Sequence, residues 1–328
     1  MKNYSYLVFL LFFSCINVSE EQKVLVKNIG ETQGTFYNIS YLSHNYNFQN
    51  DIDSILKKID YSLSTYNPES IISAINNNED IQTDTLFNQV FRKSQYVYDK
   101  TDGYFDCTIS PLVNFWGFGP YEKESIDSSK ISKLVTLVGA DKISLLDNCV
   151  SKPKSVRIDF NGIAQGYSVD LISSFLEGQG IHNYLVEIGG EVRVKGLNSE
   201  KKLWRIGISD PSEVLSGNLH VILTLKDNSL ATSGNYRKFY EEDGIKYSHI
   251  INPFSGYPAK NKLLSVSVIT EDCVLADAYA TAFMIMGIEK TKEFLKANSN
   301  IGVYFIYSDD DNLLKSYYSK NFEEYFLN

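Results

Sequence analysis

The spacing of apolar residues along the chain changes between a period of two and a helical period, and this separates strands from helices. Residues 35–41, Thr-Phe-Tyr-Asn-Ile-Ser-Tyr, alternate and predict a strand. Ile52, Ile55, Leu56, Ile59 and Leu63 recur at helical spacing. That pattern stops before Asn67-Pro68, where a helix is expected to end. Leu86, Val90, Phe91 and Val97 mark a second helix, ending near Gly103. Residues 157–160 predict a short strand that runs into Asn161-Gly162. Val169, Ile172, Phe175 and Leu176 then predict a helix closed by Gly178 and Gly180, since glycine readily takes the conformation that ends a helix. Residues 185–188 and 191–194 are strands around Gly189-Gly190, and residues 204–209, 219–225 and 264–270 are further strands. Residues 274–286 form an apolar helix with Gly287 as its C-terminal cap. A shorter amphipathic helix follows over 289–297, and a closing strand over 302–307. Mixed elements without strict alternation predict an α+β fold, with the Pro/Gly stretches free to line a cleft. No repeat of 20–50 residues and no low-complexity linker interrupts it.

The first residues follow a different pattern. Leu7-Val8-Phe9-Leu10-Leu11-Phe12-Phe13 is a compact apolar run, and Ser14-Cys15 follows directly. A membrane-spanning helix needs about 20 apolar residues, so the run is short for one and fits the apolar core of a signal peptide. A small residue before a Cys at the end of such a run suits lipoprotein processing, in which the Cys is acylated and becomes the new N-terminus. The expected organisation is a signal peptide over 1–14, a lipidated Cys15 with a polar tether over 15–22, and one domain over 23–328. Ordinary cleavage nearby, without a lipid, is the alternative. The chain has 328 residues, 43% hydrophobic and 22% charged, which is enough for one large or two small domains. The net charge is -9 and there is no Lys/Arg block, which argues against a nucleic-acid partner. An anionic ligand would therefore need a metal ion or helix N-termini to balance it. Apart from Cys15 the cysteines are Cys107, Cys149 and Cys273. An odd number is no complete disulfide framework and the spacing is no zinc motif, so they are expected as small core residues with at most one bridge.

Four segments carry candidate chemistry, each beside a plainer structural reading. Asp277 and Thr281 are four apart and so share one helix face, among small and apolar neighbours. A carboxylate and a hydroxyl there suit Mg²⁺, with water and a phosphate completing the shell; a capping Asp and a back-bonded Thr are the plainer reading. Residues 157–170 place a Gly-containing turn before a helix, where free N–H groups suit phosphate and a turn carbonyl could ligate a metal. His249 is followed closely by a Pro/Gly turn and could serve as a general base, or simply pack at a strand end. Residues 101–119 mix aromatic residues with glycines, Asp106 and Thr108. They could hold a flat heteroaromatic ligand, or only cover the core.

Taken together, the order of these segments resembles the ApbE family of FAD:protein FMN transferases. The resemblance runs through Gln33-Gly34-Thr35-Phe36-Tyr37, Leu63-Ser64-Thr65-Tyr66 with Ser70 and Asn76, Asp102-Gly103-Tyr104-Phe105-Asp106, and Pro111-Leu112-Val113 with Trp116-Gly117-Phe118-Gly119. It continues through residues 159–170, Glu187-Ile188-Gly189-Gly190-Glu191, Thr232-Ser233-Gly234-Asn235-Tyr236 and residues 249–258, and ends on 276–287. That covers nearly all of the chain after the tether. The resemblance implies a single ApbE-type α+β domain with FAD in a central cleft and a metal, usually Mg²⁺, on its pyrophosphate. By motif position the metal ligands would be Asp277, Thr281 and the main-chain carbonyl of Gly162. The flavin site would involve Tyr66, Tyr104, Phe105, Asp106, Asp159 and Gln165, and His249 would be catalytic. Gln165 stands where Lys or Glu is common, and Asn252 where Asp is frequent. The implied reaction moves FMN from FAD to a Thr or Ser of a client flavoprotein, releasing AMP. With the anchor at Cys15, the expected place is the cell envelope, bound to a membrane and facing the periplasm. Hydrolysis of FAD to FMN and AMP is the second reading, and flavin binding without turnover the third.

Overall fold

The computed structural model describes residues 23–121, 123, 125–211, 218–235, 239–242 and 245–327. The apolar run 7–13, Cys15 and the tether lie outside the described residues. Among those described, the strands and helices follow in the order β1 (Val24–Thr32), β2 (Thr35–Ser43), α1 (Gln49–Leu63), α2 (Ile71–Asn76), α3 (Thr85–Lys100), α4 (Ser110–Phe115), α5 (Ser128–Val135), β3 (Ser144–Leu146), β4 (Cys149–Ser151) and α6 (Ala164–Gly178). Then come β5 (Tyr184–Ile188), β6 (Glu191–Lys195), β7 (Trp204–Ser209), β8 (Leu219–Leu225), β9 (Ser229–Gly234), β10 (Phe239–Glu242), β11 (Ile245–Ser248), β12 (Leu263–Thr270), α7 (Cys273–Ala297), β13 (Gly302–Ser308) and β14 (Leu314–Tyr318). No described helix is long and apolar enough to cross a membrane. The α+β expectation holds.

An eight-stranded sheet in the order β1-β2-β5-β6-β9-β12-β13-β14 organises the molecule, and every neighbouring pair in it is antiparallel. Alternating side chains send two sets of apolar residues to opposite faces. Tyr37, Ile39 and Tyr41 of β2, Val186 of β5, and Val303 and Phe305 of β13 join the larger core with the buried stripes of α1, α3, α6 and α7. Val192 and Val194 of β6 and Tyr304 and Ile306 of β13 join a smaller core, closed by the β7–β8 hairpin through Trp204, Ile206, Ile208, Leu223 and Leu225. A third cluster, with Leu112, Phe115, Trp116 and Ile131, joins α4 and α5 to Ile251. The centre of the sheet is narrow: β6 and β9 pair through Val192 with Leu230 and Arg193 with Ser229.

Local chemistry explains the element ends. Asp84 caps α3, its Oδ1 accepting the Phe87 N–H at 2.7 Å and the Ser62 hydroxyl at 2.8 Å, which ties α3 to α1. Gln33 (φ 50°) and Gly34 (φ 71°) both take left-handed conformations and make the two-residue turn between β1 and β2, the geometry that matches strand twist. The predicted strand over 157–160 is not one. That segment joins no ladder, and its polar groups meet the Asn76 side chain and the Cys107 carbonyl instead. The Ile158 N–H donates to Asn76 Oδ1 at 2.7 Å, Asn76 Nδ2 donates to the Ile158 carbonyl at 2.8 Å, and the Asp159 N–H donates to the Cys107 carbonyl at 2.7 Å. Gly287 ends the apolar part of α7 as expected: with φ 76° and ψ 177° it breaks the helical path, and the amphipathic part resumes beyond it. Cys107 and Cys273 are buried core residues, Cys149 is exposed instead, and all three are free thiols.

Candidate active site

The N-terminal ends of α6 and α7 build the candidate metal site. Gly166 in the first turn of α6 lies against α7 so closely that a Cβ there would stand 2.4 Å from the Cys273 carbonyl oxygen and 2.8 Å from Asp277 Cβ. This approach lets the Gly166 N–H donate to Asp277 Oδ2 at 3.0 Å. One turn further along α7, Thr281 faces the turn that precedes α6. A Cβ on Gly162 would meet Thr281 Oγ1 at 3.3 Å and Phe105 Cε2 at 3.4 Å. Ser233 of β9 stands on the other side, its Oγ 3.4 Å from Thr281 Oγ1. Asp277, Thr281 and Gly162, named from the sequence, are therefore brought together by the fold. Ser233 joins them, though the sequence reading placed it only in a neighbouring segment.

Electrostatics mark Asp277 apart. It is 6% exposed, and burial pushes its carboxyl up to about 7, against the Gly166 hydrogen bond that favours the charged form. No ion pair with Lys or Arg relieves it among the described residues. A buried carboxylate without a counter-charge is costly. Among the described residues no three His, Cys, Asp or Glu side chains gather as a cation site. The donor set here is different: one carboxylate, one or two hydroxyls and a turn carbonyl. It fits Mg²⁺, a hard cation that takes one or two protein carboxylates and keeps positions for phosphate oxygens and water.

The predicted flavin residues surround this corner. Phe105 is buried beside Gly162 and Thr281. Tyr104 stands edge-on to Phe254, with 5.0 Å between ring centroids, and Lys290 lies 4.7 Å from its ring centroid and donates to its hydroxyl. Asp106 is buried, and both its oxygens serve the main chain. Oδ1 accepts the Thr108 N–H at 2.7 Å and hydroxyl at 2.6 Å, and Oδ2 accepts the Ala140 N–H at 3.2 Å. It thus braces the loop that carries Tyr104 and Phe105, and burial raises its carboxyl pKa. Asp159 is raised for the same reason and accepts the Asn161 N–H at 2.7 Å, shaping the turn at Gly162. Tyr66 is 58% exposed. Burial of its hydroxyl end and the negative charge of Asp159 raise its pKa, and the hydroxyl donates to the Phe118 carbonyl at 3.3 Å. Gln165 reaches the β5–β6 turn, where a Cβ on Gly189 would stand 2.9 Å from Gln165 Nε2 and 3.0 Å from Thr35 Cγ2.

His249 follows β11. Its ring meets Phe118 at 6.2 Å between centroids. Phe118 also stacks on Tyr240, Tyr240 on Tyr247, and Tyr247 on Trp116. The Trp116 indole N–H donates to the Gly256 carbonyl at 2.7 Å, which fixes this row of rings to the loop after His249. A cavity of about 420 Å³ opens beside it, lined by Trp116, Asn235, Tyr247, Ser248, Tyr257 and Asn261 among others. A second depression, between α1 and the start of α3, lies on other elements and carries none of the predicted residues.

Comparison with known proteins gives one consistent outcome. The ApbE family profile matches residues 33–305. A protein of Vibrio cholerae named "FAD:protein FMN transferase" is 36% identical over 327 residues, 96% of each chain. One of Haemophilus influenzae with the same name is 33% identical, covering 89% of each chain. Among solved structures, the flavin transferase ApbE from Vibrio cholerae superposes with a TM-score of 0.84 at 34% identity, over 93% of this chain and all of that one. The apo flavinyl transferase ApbE of Pseudomonas stutzeri gives 0.83 at 30% identity, over 93% of this chain and 98% of that one.

Proposed function

The chain belongs to the ApbE family, and from that premise we propose that it is an FAD:protein FMN transferase. The observation that carries the reading is the buried Asp277, without an ion pair among the described residues, one helical turn from Thr281, which faces the Gly162 turn. Asp277, Thr281 and the Gly162 carbonyl would hold Mg²⁺, which when bound supplies counter-charge to the FAD pyrophosphate and to the AMP that leaves. Tyr66, Tyr104 and Phe105 offer aromatic surface to the flavin, and Gln165 a neutral hydrogen-bonding group. Asp106 and Asp159 hold the two loops that present them. His249 accepts the proton of a client Thr or Ser hydroxyl as its oxygen attacks the FMN-side phosphorus. The bond from that phosphorus to the bridging oxygen breaks, AMP departs, and the client keeps FMN through a phosphoester.

The test is direct. The protein, FAD, Mg²⁺ and a candidate flavoprotein fragment are incubated, and covalent flavin fluorescence on a denaturing gel is read with free AMP. Fluorescence on the client in step with AMP supports transfer. AMP and free FMN with an unlabelled client would instead mark an FAD pyrophosphatase, and neither product a flavin-binding protein without turnover. Attachment through a lipidated Cys15 would hold the enzyme at the membrane of the cell envelope, where clients facing the periplasm are within reach.

A further inference from the structure

The hydrogen bond from Gly166 to Asp277 has a counterpart running the other way. Asp272, the residue in the capping position of α7, makes no capping bond with its side chain; its carboxylate accepts from Lys93 of α3 at 3.0 Å. The first amides of α7 are served from α6 instead. Asp170 Oδ1 accepts the Cys273 N–H at 3.0 Å, and Asp170 Oδ2 accepts the Val274 N–H at 2.8 Å. Each helix therefore has a free N-terminal amide satisfied by a carboxylate of the other. The two carboxylates differ in one respect. Asp170 is paired with Arg193 of β6, 2.6 Å from Nη1 to Oδ1, whereas Asp277 has no such cation among the described residues.

We propose that Asp170, held by Arg193, is the positioning residue that sets the place and rotation of α7 and so aims Asp277 and Thr281 at the Gly162 turn. The proposal rests on the reading of Asp277 and Thr281 as metal ligands. The reasoning is geometric. A helix moves as a stiff rod, advancing about 1.5 Å per residue, so a shift of its first amides reaches Asp277 and Thr281 undiminished. Gly166, without a side chain, permits the approach but does not choose among sliding positions. The two directional bonds from Asp170 do choose, because a carboxylate with both oxygens bound to consecutive amides and one to a guanidinium has little freedom left. Groups that orient metal ligands in this way typically change metal affinity by about 10–100-fold when removed.

The experiment uses the full chain. Mn²⁺ is titrated into protein saturated with FAD and the free ion is followed by EPR, while amide hydrogen exchange at Cys273 and Val274 is measured on the metal-free protein. Asp170→Ala is expected to weaken Mn²⁺ binding by roughly 10–100-fold and to speed exchange at both amides. Asp170→Asn keeps an acceptor and is expected to recover part of each. Lys195→Met is the control: it removes the Lys195–Glu177 pair of the same network without touching α7. It should lower Tm and leave Mn²⁺ binding unchanged. Wild-type affinity and wild-type exchange in Asp170→Ala would overturn the proposal. So would a Lys195→Met protein that loses as much Mn²⁺ affinity as Asp170→Ala at the same loss of Tm. If Asp170→Ala does not fold, Asp170→Asn decides, and unchanged affinity and exchange in it are the overturning result. A wild type that takes up no Mn²⁺, with exchange still raised by Asp170→Ala, would overturn the metal site itself, and the proposal with it.

Discussion

Phe118 stands edge-on to His249, its ring centroid 6.2 Å from that of the imidazole, while its own carbonyl receives the Tyr66 hydroxyl. A residue at the predicted flavin site and the predicted base thus meet on one residue, the first on its main-chain carbonyl and the second on its ring. If His249 takes the client's proton, His249→Ala should bind FAD nearly as well as wild type and transfer FMN about 10²–10⁴-fold more slowly. Phe118→Leu, which removes the ring but not the base, should cost far less. Single-turnover flavinylation at saturating FAD measures both. Unchanged transfer in His249→Ala would make the histidine structural.

The metal pair predicts a graded series. Asp277→Ala should abolish turnover and weaken FAD binding, because the pyrophosphate loses its counter-charge with the metal. Thr281→Val removes a neutral ligand of similar shape and should lose less. Thr281→Ser keeps the oxygen and should be milder still. Chelator should reproduce Asp277→Ala in the wild type and add little to the variant. AMP release against Mg²⁺ concentration distinguishes these; a wild type fully active in chelator rules the site out.

Stability of the metal-free protein should depend on pH through Asp277. Its carboxyl titrates at about 7 in the fold and near the ordinary 3.8 unfolded. Between those values the folded chain holds a proton that the unfolded chain has released. Stability therefore falls as pH rises across that window and levels off above it. Buried Asp106 and Asp159 are raised too and add slopes of the same sign, so the comparison is with Asp277→Asn, in which the fall should be shallower. Added Mg²⁺ should raise Tm at pH 7.5 in the wild type only. Urea midpoints across pH, with and without metal, are the measurement; equal slopes in both proteins would refute the assignment.

Gly166 predicts a sharper steric effect than Gly162. An added methyl at Gly166 meets helix backbone at 2.4 Å, where nothing can rotate aside, so Gly166→Ala should cost about 1–3 kcal/mol and weaken metal binding as α6 and α7 part. At Gly162 the nearest atom is Thr281 Oγ1 at 3.3 Å. Gly162→Ala should leave Tm near wild type and act on transfer instead. Thermal unfolding and Mg²⁺ dependence, measured on both, separate the two effects.

The anchor can be tested independently of the chemistry. Lipidation at Cys15 predicts a diacyl- or triacyl-cysteine as the mature N-terminus in the membrane fraction, detectable by mass spectrometry. A chain that still begins at Met1 sinks this expectation.

Some of this architecture is written locally in the sequence and some is not. The i, i+4 spacing of Asp277 and Thr281 survives folding because a helix fixes both positions by itself. Gly287 likewise announces its break, since the conformation it takes is strained for other residues. Residues 157–160 misread as a strand because Val156, Ile158 and Phe160 alternate inward whether the partner is a ladder or the Asn76 amide. Alternation reports burial and says nothing of what the backbone bonds to. Ser233 was hidden for another reason. Its place beside Thr281 depends on β9 lying under α7, a pairing that no local pattern encodes. The same holds for Asp170, whose partners at Cys273 and Val274 are more than a hundred positions away in the chain.

The narrow middle of the sheet has a consequence for how the protein is made. The strands β1-β2-β5-β6 and β9-β12-β13-β14 meet there through two residue pairs, and the Gly162 turn precedes that junction while Asp277 and Thr281 follow it. Gly166 and Asp277 are 111 positions apart, so a nascent chain displays one side of the proposed cation site well before the other has been synthesised. Binding at this corner must then wait for α7 to dock, which would make loading with FAD and with the proposed cation a late event in maturation.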